Sequence, residues 1–279
     1  MTDSEFEFIR TLVYERSRIS LGPDKRELVG ARLAKRLRHL QTGSVGAYCR
    51  LLRTPEGEGE FVHLIDVIST HHTAFFREND HFEFVRSAIV PELLGRFRAE
   101  RWSRLRAWSA ACSSGEEPYS LAMVLAECLE RQAWPWQIQA TDISHRVVDQ
   151  ARAGIYRHDV LAAVPPTRRQ AFFQRGIGAE TGNFRVSAAL RSKVEFRQLN
   201  LLGEPAPFGE PFHLILCRNV MIYFDHATQE ELVERLTRQL VPGGYLLVGH
   251  AESLTGIRHS LELVRPAVYR RSSAASLAA

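Results

Sequence analysis

The chain has 279 residues, enough to bury a sizeable core as one large domain or two modest ones. Its composition, 45% hydrophobic and 24% charged, is ordinary for a soluble globular protein, and no apolar run approaches the roughly 20 residues that span a bilayer. The net charge of +4 and pI near 9.0 are mild; alone they suit a nucleic acid, a membrane surface or an acidic protein partner.

The N-terminus, "MTDSEFEFIR", has no apolar secretory core and carries acids early, so a cytoplasmic protein without a signal peptide is expected. "EFEFIRTLVYERSRI" and "ELVGARLAKRLRHL" place apolar residues at helical spacing; in the second, Val29, Leu33, Leu37 and Leu40 form one stripe. "LGPD" breaks between these helices and "QTGSVG" ends the second. No β-alternation precedes about residue 100, which predicts an all-α N-terminal domain over residues 1–90 and a linker to about 103. From Lys25 to Arg53 eight basic residues accompany one acid, Glu27. Arg32, Lys35, Arg36 and His39 fall away from the leucine stripe, and Arg38 belongs to the same basic run. No aromatic interleaving turns that run into a nucleic-acid motif. An ordinary solvated face is the competing reading.

From Leu105 strands and helices alternate. "LRAWSAAC" reads as a buried strand, and "EPYSLAMVLAECLER" as a helix with Pro118 in its first turn, where the missing N–H costs nothing. "WQIQATD" is a second strand, followed by a helix, "SHRVVDQARAG", with Ser144 as N-cap and Gly154 as its end. "KVEFRQLNL" and "PFHLILCRNV" are strands, and "TQEELVERLTRQL" is a helix stopped by "VPGG". The strand "YLLVGH" and a last one around "AVYRR" follow. Short crossovers of this kind predict an α/β, Rossmann-like doubly wound parallel sheet over residues 104–279. The stretch of about 157–193 is too long for a simple crossover; it reads as a short helix and a Gly-rich hairpin, a small inserted subdomain. "SSAASLAA" reads as a frayed tail. Cys49, Cys112, Cys128 and Cys217 are widely separated and form no CxxC pair, as buried reduced thiols would be.

A doubly wound sheet binds ligands at the carboxyl ends of its strands, and four of these ends are polar here: "CSSGEE", "TD", "LNL" and "CRN". Asp142, 27 residues after Gly115, stands where an acid takes the hydroxyls of an adenosine ribose, although a helix N-terminal acid favoured by the dipole fits the same place. The turn at Gly115 lacks GxGxxG and carries Glu116 and Glu117, which would repel a pyrophosphate and attract a cationic amino or sulfonium group. This leans away from a nicotinamide dinucleotide and toward S-adenosyl-L-methionine. Glu116, nearer the turn, is expected to face the ligand; Glu117 is left open between that role and a plain helix-start acid.

"STHHTAFFRE", "WSAACSSGEEPYSLA", "ATDIS", "ARAGIYR", "NLL", "FHLILCRNVMIYFD" and "GGYLLVGHAESL" occur in this order. Together they resemble the chemotaxis receptor methyltransferases, the CheR family, from about residue 5 to 271. The resemblance implies a helical N-terminal domain and an S-adenosylmethionine-dependent methyltransferase domain interrupted by a small antiparallel β-subdomain. It implies a cofactor pocket of His71, Thr73, Arg77, Glu116, Asp142, Asn200, Leu201, Arg218 and Asn219. His71 stands where the family usually has Asn; one hydrogen bond there is in question, and a titratable group is added. The implied reaction moves a methyl group to a receptor glutamate, leaving S-adenosyl-L-homocysteine. Arg77 and Arg218 are the expected carboxylate-orienting residues, and Tyr223 lines the acceptor side or packs as a half-buried loop aromatic. No metal, nucleic acid or membrane insertion is expected. The basic face of Arg32, Lys35, Arg36 and Arg38 is implied to dock the glutamate-rich methylation helices of chemoreceptors. The Gly-rich insert either adds a strand to a receptor C-terminal peptide or is only a turn-rich hairpin. Competing readings are a methyltransferase for another protein or a small molecule, and a cofactor-binding signalling module without catalysis.

Overall fold

Helix α1 (Asp3–Ser17) starts at a capping box: the Glu5 N–H donates to the Thr2 hydroxyl at 3.2 Å, and the Glu5 carboxylate accepts the Thr2 N–H at 2.7 Å. The computed structural model describes residues 1–69, 71–129, 134–204 and 208–272. Thr70 of the "STHHTAFFRE" segment and most of the expected frayed tail, 273–279, lie outside the described residues. Phe6, Ile9 and Val13 of α1 share one face, as their spacing dictates. They close a core with Val29 and Leu33 of α2 (Arg26–His39), Tyr48 of α3 (Val45–Leu51) and Leu64 and Ile65 of α4 (Gly57–Ile68).

A second core begins at Phe75. Helix α5 (Asn79–Phe84), a π-helical segment (Val85–Ile89) and α6 (Val90–Phe97) follow one another and bury Phe82, Val85, Ile89 and Leu93 among residues of the α/β sheet. The change of packing therefore falls between Ile68 and Phe75, earlier than the residue 90 suggested by the sequence pattern. Helical periodicity does not change there; only the partner of the apolar stripe does.

Strands β1 (Leu105–Ser109) and β2 (Trp136–Asp142) flank helix α7 (Glu116–Leu129), and α8 (His145–Ala153) follows β2. Ser144 caps α8, and Gly154 ends it at φ +62. The insert comprises β3 (Ile155–Arg157), α9 (Pro166–Phe172), β4 (Phe173–Arg175) and β5 (Asn183–Val186), an antiparallel sheet ordered β3-β5-β4. Its first strand starts at Ile155, just before the expected span of 157–193.

After α10 (Ala188–Arg191) come β6 (Val194–Gln198), β7 (Phe212–Cys217), α11 (His226–Arg238), β8 (Leu240–Val248), β9 (Leu261–Arg265) and β10 (Val268–Arg271). The main sheet runs β6-β2-β1-β7-β8-β10-β9; its first five strands are parallel, and β10 is antiparallel to both neighbours. The helix stops before "VPGG" as expected, but the strand begins earlier than Tyr245: residues 241–244 already belong to β8, where the pairing with β7 shifts register and Gly243 adopts φ +70. Strand β9 escapes the sequence pattern because it is an edge strand with Leu263 65% exposed, leaving no buried alternation to read. Among the described residues no helix is long and apolar enough to cross a membrane. The chain leaves β1 toward β2 and β6 on one side, then returns to β7 and β8 on the other. That reversal opens a crevice at the carboxyl ends of β1 and β7.

Candidate active site

The turn after β1 is held from three sides. Asp142, at the end of β2, accepts the backbone N–H of Ser113 at 2.9 Å and of Ser144 at 3.0 Å, tying two strand-to-helix turns together. Gly115 takes φ +100, and a Cβ there would lie 2.7 Å from the Tyr156 hydroxyl and 2.9 Å from Ala151 Cβ, so both conformation and space exclude a side chain. The Tyr156 hydroxyl, from the inserted subdomain, donates to the Ser114 carbonyl at 2.8 Å. The insert thus buttresses the turn. Phe75 packs edge-on against Tyr156 and Phe173, with ring centroids 4.9 and 5.7 Å away.

The two adjacent glutamates part company at this turn, and the expectation for Glu116 is corrected. Glu116 does not line the crevice; its buried carboxylate accepts the Ser114 hydroxyl at 2.8 Å, on the side of Tyr156. Burial pushes its pKa up. Glu117 faces the crevice, accepting the Ser109 hydroxyl at 2.7 Å and Arg218 at 3.2 Å. Burial pushes its carboxyl up as well, and Arg218 opposes that shift.

Arg218 follows β7 and is buried, stacked over the Phe82 ring at 5.4 Å. Besides Glu117 it donates to the Glu78 carboxylate at 2.8 Å and to the Arg77 carbonyl at 2.5 Å. Burial would raise Glu78, yet the hydrogen bond and charge of Arg218 prevail and hold its pKa down to about 2. Asn219, at φ +58, donates its side-chain amide to Glu78 at 3.2 Å.

The loop carrying these groups is fixed by a residue that the sequence did not single out. The carboxylate of Glu252 accepts four backbone N–H groups: Asn219 and Gly249 at 2.7 Å on one oxygen, Met221 at 2.7 Å and Ile222 at 3.3 Å on the other. A Cβ on Gly249 would come within 2.8 Å of that carboxylate, which explains a glycine in "GHAES". Both Glu78 and Glu252 lie inside quoted motifs; neither spacing nor composition marks them as site residues.

The N-terminal helices form the opposite wall. Ser20 donates its N–H to the Tyr223 carbonyl at 2.8 Å, Asn200 donates its amide to the Arg16 carbonyl at 3.0 Å, and Tyr14 donates to Asp225 at 2.5 Å. These bridges enclose a cavity of about 380 Å³. Of the expected residues, His71, Thr73, Arg77, Asp142, Asn200, Leu201, Arg218, Asn219 and Tyr223 all line it, and so does Arg32. Arg77 donates to the His72 carbonyl at 2.8 Å. Among the described residues the buried His71 Nε2 has no partner, and burial lowers the His71 pKa despite the nearby charge of Asp142.

The basic face is less uniform than the sequence suggests. Arg36 turns inward and forms a two-pronged pair with buried Glu60 at 2.9 and 2.6 Å, and Glu60 also accepts the Tyr48 hydroxyl at 2.7 Å. Arg36 is therefore corrected from docking face to internal ion pair, because Glu60 on α4 lies across from α2 and needs a countercharge. Arg32 donates to the carbonyls of Ile68 and Ser69, at the end of α4. Lys35 and Arg38 remain exposed.

Chemically, the cavity offers carboxylates on one wall and guanidiniums beside them. Asp142 has two accepted amides, leaving lone pairs for ribose hydroxyls. Glu117 suits a cationic sulfonium or amino group, whose charge would favour the ionised carboxylate. The orphaned His71 Nε2 provides one further hydrogen bond. The donor set fits S-adenosylmethionine.

Comparison with known proteins agrees with this chemistry. Residues 71–269 match the family description "CheR methyltransferase, SAM binding domain", and residues 4–69 match "CheR methyltransferase, all-alpha domain". The chain is 40% identical to the chemotaxis protein methyltransferase of Escherichia coli (strain K12) over 272 residues, covering 98% of this chain and 92% of that protein. It is also 40% identical to chemotaxis protein methyltransferase 2 of Pseudomonas aeruginosa over 268 residues, 96% and 93% of the two chains. A Borreliella burgdorferi chemotaxis protein methyltransferase shares 38% over 274 residues, 98% and 95%.

Proposed function

The chain belongs to the CheR methyltransferase family, and from that premise we propose that it methylates glutamate side chains of chemoreceptors to give methyl esters. The observation that carries this reading is the shared cavity in which Glu117 and Asp142 line the strand ends beside Arg77 and Arg218. S-adenosylmethionine, when bound, supplies a methyl group on a cationic sulfur and is left as S-adenosylhomocysteine. In our reading Glu117, Asp142, Thr73, His71, Asn200 and Leu201 hold it.

The rest of the chemistry falls to the protein. A glutamate carboxyl exposed to water has a pKa near 4.3, so the acceptor arrives ionised at neutral pH and no general base is required. Alignment then dominates, and proximity and orientation contribute roughly 7–11 kcal/mol in favourable cases. Arg218 is engaged by Glu78 and Glu117, so its role is to brace the cavity. Among the described residues Arg77 donates to the His72 carbonyl and to no carboxylate, so its guanidinium is placed to clamp an incoming carboxylate. Tyr223 completes the acceptor wall. Exposed Lys35 and Arg38 attract the acidic methylation helices. An extended receptor peptide would add at β3 or β4, since β5 is paired on both sides.

The test is incubation with labelled S-adenosylmethionine and receptor cytoplasmic fragments, followed by mapping of base-labile methyl esters. Label on glutamates, lost in Arg77→Ala while cofactor binding persists, is expected. Cofactor binding without transfer would instead mark a signalling module, and label on another acceptor would mark a different substrate.

A further inference from the structure

His81 is a buried imidazole, 1% exposed, and among the described residues neither ring nitrogen has a hydrogen-bond partner. Leaving two polar atoms dry is costly, and an unsatisfied buried group of this kind points to a missing ligand. Its surroundings are those of a ligand shell. One Glu78 oxygen lies 3.6 Å from His81 Nδ1, and the His250 ring stands edge-on with centroids 4.6 Å apart. A ligand atom from each of Glu78, His81 and His250 falls within 4.8 Å of the others.

We propose that Glu78, His81 and His250 form a binding site for a late first-row divalent ion of the zinc type, beside the methyl-transfer cavity. Imidazole and carboxylate are the donors such ions prefer. With metal–ligand bonds near 2.1 Å, tetrahedral donor atoms sit about 3.4 Å apart, so the shell must contract slightly. His250 can provide that movement because its side chain is 46% exposed, whereas His81 is fixed by packing. Asp80 Oδ1 lies 3.2 Å from His250 Nε2, within reach to serve as the outer carboxylate that orients a metal-bound imidazole. The charge balance is acceptable: Arg218 and Arg265 are offset by Glu78, Glu117 and Asp80.

The site has a consequence that rests on the proposed function. Glu78 is a partner of both Arg218 and Asn219. An ion that recruits a Glu78 oxygen loosens Arg218, so occupancy slows methyl transfer.

The test uses the full chain stripped of metal and titrated with cobalt(II) and zinc(II), read by visible ligand-field absorption and calorimetry. These readouts need no activity. One equivalent is expected to bind to the wild type, with affinity at least tenfold weaker in His250→Ala; Asp80→Asn should weaken it by about ten- to a hundredfold. His250 is exposed, so its variant keeps the fold. Equal binding by wild type and His250→Ala would overturn the site. Unchanged transfer by zinc-saturated wild type would overturn the link to Arg218.

Discussion

Arg218 donates to Glu78 at 2.8 Å and to Glu117 at 3.2 Å, so one buried guanidinium joins the segment before α5 to the start of α7. This pairing makes Glu117 the carboxylate of the cavity. Glu117→Gln should weaken S-adenosylmethionine binding about ten- to a hundredfold, the worth of a charged hydrogen bond of roughly 1.5–3 kcal/mol. Glu116→Gln should change it far less, since its carboxylate serves Ser114. Calorimetric titration of both variants decides between them; a larger loss in Glu116→Gln would reverse the assignment.

Glu252 holds the Arg218–Tyr223 loop through four amides. Glu252→Ala strips them of their acceptor, at about 1–3 kcal/mol for each buried donor left unpaired, and should unfold at markedly lower denaturant. Glu252→Gln keeps one acceptor oxygen but sets an amide N–H against two backbone donors. It should remain folded and lose turnover rather than receptor affinity. Kinetics at saturating receptor and a denaturation curve separate the two effects.

Lys35 and Arg38 are exposed, whereas Arg36 is committed to Glu60. Reversing Lys35 and Arg38 to Glu should raise KM for receptor fragments severalfold at low salt, with the difference shrinking as salt rises and kcat unaffected. Arg36→Glu should act on stability instead, by about 3–5 kcal/mol, because a buried carboxylate loses its partner. Urea melts of the three variants test this division.

His213 reports on folding through pH. Its Nδ1 accepts the Arg106 N–H at 3.0 Å, and among the described residues its buried Nε2 has no partner; burial, assisted by neighbouring arginines, lowers its pKa from 6.5 to about 4. The unfolded chain binds the proton more readily, so this contribution is complete above about pH 6.5 and declines as pH falls toward 4. The whole contribution is of order 3 kcal/mol. Stability curves at pH 5 and pH 7 should differ less in His213→Asn than in the wild type. An unaltered difference would remove His213 as the cause.

Much of the scaffold was legible because periodicity and punctuation are local. The acid Asp142 at a strand end, the Ser144 cap, the Gly154 stop and the Gly115 turn all follow from residue type and neighbours. The edge strand β9 was not legible, since an exposed strand carries no burial pattern. The packing change between Ile68 and Phe75 was equally silent, because two helices with similar stripes reveal nothing about which core receives each one.

The sequence by itself determined the fold class, the order of the motifs and the set of polar residues brought to the strand ends. Tertiary structure alone decided which of them meet. Neighbouring helical residues point about 100° apart, so Glu116 and Glu117 had to diverge, but only the seating of α7 on the sheet chose which one faces the cavity. Arg36 and Glu60 likewise become partners only when α2 lies against α4. Local spacing sets the direction of a side chain relative to its own helix; the packing of that helix sets what the side chain meets.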